Sequence, residues 1–219
     1  IRDRSPSRGL GDVYKRQELA LNFLENLDPQ KCLVKVGLEL FISEGWKVLD
    51  LISEKGFEIF LDLKLHDIPN TVANSVRKIS NFNVALTTIH LNGGKDMIEA
   101  ASSEKGNIKI LGVSILTSLS KSDIFEITHT EFDAYFNNLI SIASNTNIDG
   151  VVCSPNELIK LKNFNKLKVV PGIRNDVSDD DQKRVMSSIE AYQKGADFIV
   201  VGRPITKSDD PRKALELFL

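Results

Sequence analysis

Three charged residues stand at the end of one apolar segment, FEIFLDLKLHDIPNT (57–71): Asp62 and Lys64 are two positions apart, and Asp67 follows three residues later. Side chains at i and i+2 of a strand share one face and lie about 7 Å apart. We therefore expect Asp62 and Lys64 to project into the same space, while the next loop delivers a second carboxylate. Such charges are costly unless they pair or do chemistry, so the group is either a surface ion-pair cluster or a catalytic one.

Apolar, β-branched segments alternate with helical patterns along the chain. Strands are predicted at 32–38, 57–64, 84–91, 109–116, 150–154, 168–173 and 198–203. Helices are predicted at 18–27, 43–55, 71–80, 94–104, 133–144, 155–162, 182–195 and 211–219. This alternation is typical of a parallel sheet covered by helices. We predict an α/β fold, a (β/α)8 TIM barrel whose first strand is missing or replaced. A doubly wound open sheet competes with it, although no G-x-G-x-x-G turn follows an early strand.

Residues 1–17 differ from the rest of the chain, because IRDRSPSRGLGDVYKRQ is rich in Arg, Ser and Gly and has no strand or helix periodicity. We interpret them as a poorly structured leader, for example a cloning or sequence-assembly scar where the first strand belongs. They lack the apolar centre of a secretory signal. Residues 18–219 are then expected to form a single catalytic domain.

Composition narrows the range of partners. A net charge of −2 gives no general attraction to nucleic acid or to anionic membranes. The apolar runs are far shorter than the ~20 residues of a membrane span. Cys32 and Cys153 are interpreted as reduced cysteines of a cytoplasmic protein. Since the three histidines show no metal-ligand spacing, we expect no metal site.

Polar residues recur where the predicted strands end, which is where barrel enzymes place their active sites. In chain order they are Lys35, Asp62, Lys64, Asp67, His90, Asn92, Thr117, Ser118, Ser154, Arg174, Gly202 and Arg203. The loops after the last two strands of this fold commonly bind phosphate. Gly202 and Arg203, beside Gln182 and Arg174, therefore predict an anion site, because Arg203 can hold a phosphate in a bidentate fork.

The chain resembles the orotidine 5′-phosphate decarboxylase family, in its bacterial form. The matching stretches are collinear over about residues 18–219: KVGLELF (35–41), FLDLKLHDIPNT (60–71), HLNGG (90–94), LTS (116–118), DGVVCSPNE (149–157), PGIR (171–174), DQKR (181–184) and VGRPIT (201–206). The resemblance implies decarboxylation of orotidine 5′-monophosphate to UMP in pyrimidine biosynthesis. It also implies that neither a metal nor an organic cofactor takes part.

The resemblance assigns roles to particular residues of this chain. Lys64 would protonate C6 of the pyrimidine, Asp62 would lie beside the substrate carboxylate, and Lys35 would join the same charged network. Asp67 and Thr71 would reach across a homodimer interface into the partner's site.

The remaining residues would bind the substrate. The resemblance assigns the base to Thr117 and Ser118, and the phosphate to Arg174, Gln182, Gly202 and Arg203. Asp12 lies near the position of a ribose-binding aspartate, although no apolar strand precedes it. Two interpretations of His90 stay open: it is a histidine that only ends its strand, or it contacts the ligand.

Two other functions stay open. A sugar-phosphate decarboxylase or aldolase on the same barrel would typically need a divalent metal, and no further carboxylate ends the 32–38 strand, although Glu39 is nearby. The second alternative is a barrel impaired by its altered N-terminus, because a missing strand exposes two sheet edges. Such a protein would bind nucleotide without turnover.

Overall fold

The seven predicted strands all form in a computed structural model, which describes residues 21–175 and 186–219. They are β1 Val34–Gly37, β2 Ile59–Leu65, β3 Val84–His90, β4 Lys109–Val113, β5 Gly150–Val152, β6 Leu167–Pro171 and β7 Phe198–Val200. They make one parallel sheet in the order β1 to β7, so the chain order is also the spatial order. The predicted α/β class is confirmed, whereas the predicted loss of a first strand concerns residues outside the described ranges.

Helices follow most strands and cover the sheet. They are α1 Leu38–Glu44, α2 Lys47–Glu54, α3 Pro69–Ile79, α4 Gly94–Ser103, α5 Lys121–Thr128, α6 Phe132–Ser144, α7 Pro155–Leu158, α8 Ser188–Gln193, α9 Arg203–Thr206 and α10 Pro211–Glu216. Residues 21–24 are also helical.

The helices differ from the predictions in three ways. The helix predicted at 43–55 is two helices, because Gly45 adopts a φ of 63° that ends α1 before α2 begins. Helix α1 also starts at Leu38, which is the last residue of the strand predicted at 32–38. Helix α5 was not predicted, although Ser120 and Asp123 form the capping box that marks its start.

The buried apolar residues fall into layers on the two faces of the sheet. Phe60, Leu86, Leu111 and Val169 form a cluster separate from the larger clusters between strands and helices. Side chains alternate between faces along a strand, so residues two positions further on share the inner face. On β2 and β3 the inner face therefore changes from apolar, at Phe60 and Leu86, to polar, at Asp62 and Thr88 near the C-terminal ends of the strands.

The two edges of the sheet border a cavity. Among the described residues, β1 pairs only with β2 and β7 only with β6. The cavity has a volume of about 670 Å³ and an apolar lining that includes Phe60, Leu86 and Phe218. Of the described site residues predicted from sequence, Lys35 and Gly202 alone line it, so the cavity is largely separate from the predicted site.

Within residues 21–175 and 186–219, the helices are too short or too polar to cross a lipid bilayer.

Candidate active site at the C-terminal edge of the sheet

Asp62 and Lys64 form a close ion pair at the end of β2. Lys64 Nζ donates to both carboxylate oxygens of Asp62, each at 2.8 Å. The Asp62 side chain is 13% exposed and that of Lys64 is 36% exposed, so the carboxylate is the more enclosed partner. The predicted juxtaposition of these two side chains is confirmed.

The backbone between them is not the regular strand that the prediction assumed. Leu61 pairs with Thr87 and Leu65 pairs with Ile89, so Asp62, Leu63 and Lys64 all lie opposite Thr88. This bulge puts Lys64 at a φ of 52°, in the left-handed region that non-glycine residues rarely adopt. Bulges re-aim side chains near active sites, and here the bulge folds Lys64 back onto Asp62.

Lys35 adds a second cation to the pair. Its Nζ lies 3.6 Å from Asp62 Oδ2, reaching across from β1, where Gly37 is the register partner of Asp62. One carboxylate thus faces two ammonium groups. The cluster carries a surplus positive charge, which suits it to an anionic ligand or to negative charge that develops during a reaction.

Asp67 and Thr71 make no contact with this cluster among the described hydrogen bonds and ion pairs. Asp67 is exposed, accepts a hydrogen bond from the backbone N–H of Ile68 at 2.7 Å, and makes no ion pair with Lys64 among the described contacts. Thr71, in the first turn of α3, is exposed as well. Their proposed roles therefore stay predictions.

His90 ends β3 beside the charged cluster. Its ring centroid lies 5.4 Å from that of His66. Burial lowers the pKa of His90 below its ordinary value, and His66 and Lys64 lower it further, while Asp62 opposes them. The lowered pKa favours the neutral imidazole over a third positive charge beside Lys64.

Thr117 and Ser118 lie in the exposed turn after β4, as predicted. The base of that turn is held by Glu157, which sequence reasoning missed. Its carboxylate accepts hydrogen bonds from the backbone N–H of Ser154 at 2.7 Å and from the Ser114 hydroxyl at 3.3 Å. Burial raises the pKa of Glu157, and this outweighs the hydrogen bonds from Ser154 and Ser114 and the charge of Lys160, which lower it.

The predicted phosphate residues stand at the ends of β6 and β7. The backbone N–H of Arg174 donates to the carbonyl of Met186 at 3.2 Å. Gly202 precedes α9, and a Cβ added there would meet no atom within 4 Å, so the backbone is open to a ligand. Arg203 is exposed at the start of α9. Gln182 and Asp12 lie outside the described residues.

Sequence reasoning also missed Thr88. Its hydroxyl accepts from the Lys64 backbone N–H and donates to Asp62 Oδ1, both at 2.9 Å. The available signal was a pair of threonines inside an apolar strand, since a buried hydroxyl needs a partner. In the described ranges, no cluster of His, Cys, Asp and Glu side chains is arranged to hold a metal ion.

Comparison with known proteins extends these observations. The profile of the "Orotidine 5'-phosphate decarboxylase / HUMPS family" matches residues 12–218, beginning inside the segment interpreted as a leader. An orotidine 5′-phosphate decarboxylase of Saccharophagus degradans is 41% identical over 212 residues, covering 93% of this chain and 89% of the relative. One from Wigglesworthia glossinidia brevipalpis is 38% identical over 217 residues, covering 94% and 93%.

A solved structure agrees with the sequence relatives. The crystal structure of orotidine 5′-phosphate decarboxylase from Lactobacillus acidophilus has a TM-score of 0.81 and 35% identity, covering 92% of each chain. The fold and the charged strand ends define a barrel enzyme with its site at the C-terminal edge of a parallel sheet. More specifically, the chain belongs to the orotidine 5′-phosphate decarboxylase / HUMPS family.

Proposed function

We propose that this chain decarboxylates orotidine 5′-monophosphate to UMP, the last step in making that pyrimidine nucleotide, without a cofactor. The observation that carries the proposal is the Lys64–Asp62–Lys35 cluster, in which one carboxylate faces two cations at the end of β1 and β2. Family membership supports the substrate, because the relatives bear the name of this enzyme.

The chemistry needs a stabilised carbanion and a proton. The bond between C6 and the carboxylate breaks, CO₂ leaves, and the electron pair stays on C6. The Lys64 ammonium offsets this negative charge and then gives its proton to C6, after which solvent reprotonates the amine. Asp62 fixes the direction of Lys64 Nζ and lies beside the departing carboxylate, and Lys35 keeps the cluster positive.

The rest of the substrate would be bound at neighbouring strand ends. Thr117 and Ser118 contact the base. The phosphate is held by Arg174, Gln182, Gly202 and Arg203. Binding energy from this distant group helps to hold the reacting carbon against Lys64.

The proposal includes one catalytic domain, residues 18–219, that acts as a homodimer in the cytoplasm. Asp67 and Thr71 would act in the partner's site, which is consistent with their exposure away from their own Lys64. Leu38, Ile42 and Ile68, exposed by 55%, 74% and 67%, follow β1 and β2 and supply an apolar surface for the dimer. The two free cysteines are consistent with a reducing compartment.

The decisive measurement is UMP formation from orotidine 5′-monophosphate by the purified chain and by Lys64→Ala. We expect turnover to be lost in the variant while its melting temperature stays close to that of the wild type. Lys109→Ala, which removes an exposed lysine at the opposite end of the sheet, is the matched control and should keep full turnover. Near-normal turnover in Lys64→Ala would contradict the proposal. A chelator should have no effect, since loss of activity with EDTA would favour a metal-dependent sugar-phosphate reaction.

Subunit complementation tests the shared site. Lys64→Ala and Asp67→Ala chains should each be inactive, and mixing them should restore activity because every hybrid dimer contains one site free of both changes. If mass measurements show subunit exchange and no activity returns, Asp67 does not act in trans.

A further inference from the structure

We propose that Thr88 is a positioning residue that holds Lys64 and Asp62 in their working geometry. The proposal rests on the proton-donor role given to Lys64 above. Thr88 lies on β3, is fully buried, and shares the inner face of the sheet with Leu86, two positions earlier. Its hydroxyl is the point where the bulged part of β2 is joined to β3.

The hydroxyl makes two hydrogen bonds of opposite sense. It accepts one from the Lys64 backbone N–H, and it donates one to Asp62 Oδ1, at 2.9 Å each. A threonine has only one O–H hydrogen, so this donor is fully committed to the carboxylate. One side chain therefore fixes the backbone of the proton donor and the orientation of its counter-ion together.

The backbone of Lys64 explains why such a support is needed. A left-handed φ in a non-glycine residue persists only where its surroundings hold it. The bulge removes Lys64 from the regular β2–β3 ladder, and its N–H finds its acceptor in Thr88 instead. Without that acceptor, the N–H would be left without its partner, and Lys64 Nζ would lose its fixed position above the substrate carbon.

The adjacent threonine supplies a matched control. Thr87 is equally buried, and its hydroxyl also bridges to β2, donating to the Leu61 carbonyl at 3.0 Å. It lies on the other face of β3, next to Ile89, which packs in the cluster beneath the helices. Removal of its hydroxyl deletes a bond of similar length without touching Lys64 or Asp62.

The experiment compares Thr88→Val with Thr87→Val, each of which replaces a hydroxyl by a methyl group. We expect kcat of Thr88→Val to fall roughly tenfold to a hundredfold, the range for losing a hydrogen bond to a charged group. KM should change little, because the phosphate residues are untouched. Thr88→Ser, which keeps the hydroxyl, should recover most of kcat. Thr87→Val should lower the melting temperature and leave kcat unchanged.

If Thr88→Val and Thr87→Val have equal kcat values while Lys64→Ala is inactive, Thr88 is not a positioning residue. The proton-donor role of Lys64 would still stand in that case. Turnover that survives in Lys64→Ala would instead overturn the proton-donor assignment. If Thr88→Val does not fold, Thr88→Ala is compared with Thr87→Ala. A drop in kcat common to both alanine variants would mark a purely structural effect and contradict the proposal.

Discussion

Lysine–aspartate pairs stand at both ends of the sheet, and they are built differently. At the N-terminal end, Asp149 precedes β5, accepts from Lys105 Nζ at 2.7 and 2.8 Å, and also accepts from the Ile110 N–H of β4 at 2.8 Å. Asp197 precedes β7 and accepts from the Lys168 N–H of β6 at 2.8 Å. Each carboxylate there ties the start of one strand to its neighbour.

At the C-terminal end, Asp62 accepts from side chains only, among the described contacts, and faces two lysines. Its single negative charge faces two positive charges, and the backbone nearby is strained at Lys64. The difference shows that ion pairs of the same residue types serve stability where carboxylates bind backbone N–H groups. Where positive charge is left over, as around Asp62, we propose that they serve a ligand.

The largest expected effect is on turnover at the C-terminal end. Asp62→Asn should lower kcat by roughly a hundredfold or more, the scale seen when one preorganised electrostatic contact is lost. The melting temperature should change little, because Asp62 binds no backbone N–H among the described residues. Steady-state kinetics and thermal melts check this. If Asp62→Asn is partly unfolded and its folded fraction has the wild-type kcat, Asp62 serves stability as Asp149 does, and the two ends of the sheet do not differ in function.

Arg203→Ala should weaken phosphorylated ligands by about 1.5–3 kcal/mol, the range for a charged hydrogen bond. Calorimetry with UMP and with uridine separates the phosphate from the rest of the nucleotide, and uridine binding should be unaffected. Arg212→Ala, at an exposed position on α10, serves as the control. Equal losses for both ligands would show that Arg203 acts on the fold.

Asp149→Asn should show the reverse behaviour of Asp62→Asn. We expect the free energy of unfolding to fall by about 1–3 kcal/mol, because the Lys105 pair and the β4 N–H contact are both weakened. The folded enzyme should keep its kcat. Urea unfolding monitored alongside activity tests this, and a loss of kcat at full folding would mean that the N-terminal end also serves catalysis.

The smallest effect concerns backbone strain. Lys64→Gly should be about 1 kcal/mol more stable than Lys64→Ala, because glycine adopts a positive φ without a steric penalty. At Asn138, an exposed position in the middle of α6, the order should reverse by about 1 kcal/mol. The same order at both positions in denaturant melts would show that Lys64 is not strained in solution.

The strands of this fold could be predicted from local patterns, because each is a short apolar, β-branched run with turn residues at its ends. The ion pair of Asp62 and Lys64 followed from their spacing. The bulge at Lys64 did not, since it depends on Thr88, which is 24 residues further along the chain. Nor could any pattern in one chain show where Asp67 acts, because its proposed partner belongs to another subunit.

The spatial order of the strands has a consequence for synthesis on the ribosome. From β2 onward, each strand emerges when the neighbour that it pairs with has already been made. The sheet can therefore grow one strand–helix unit at a time during synthesis. The outer edge of β1 is different, because no later strand within the described residues pairs with it. That edge is where a nascent chain is most exposed to pairing with a wrong neighbour.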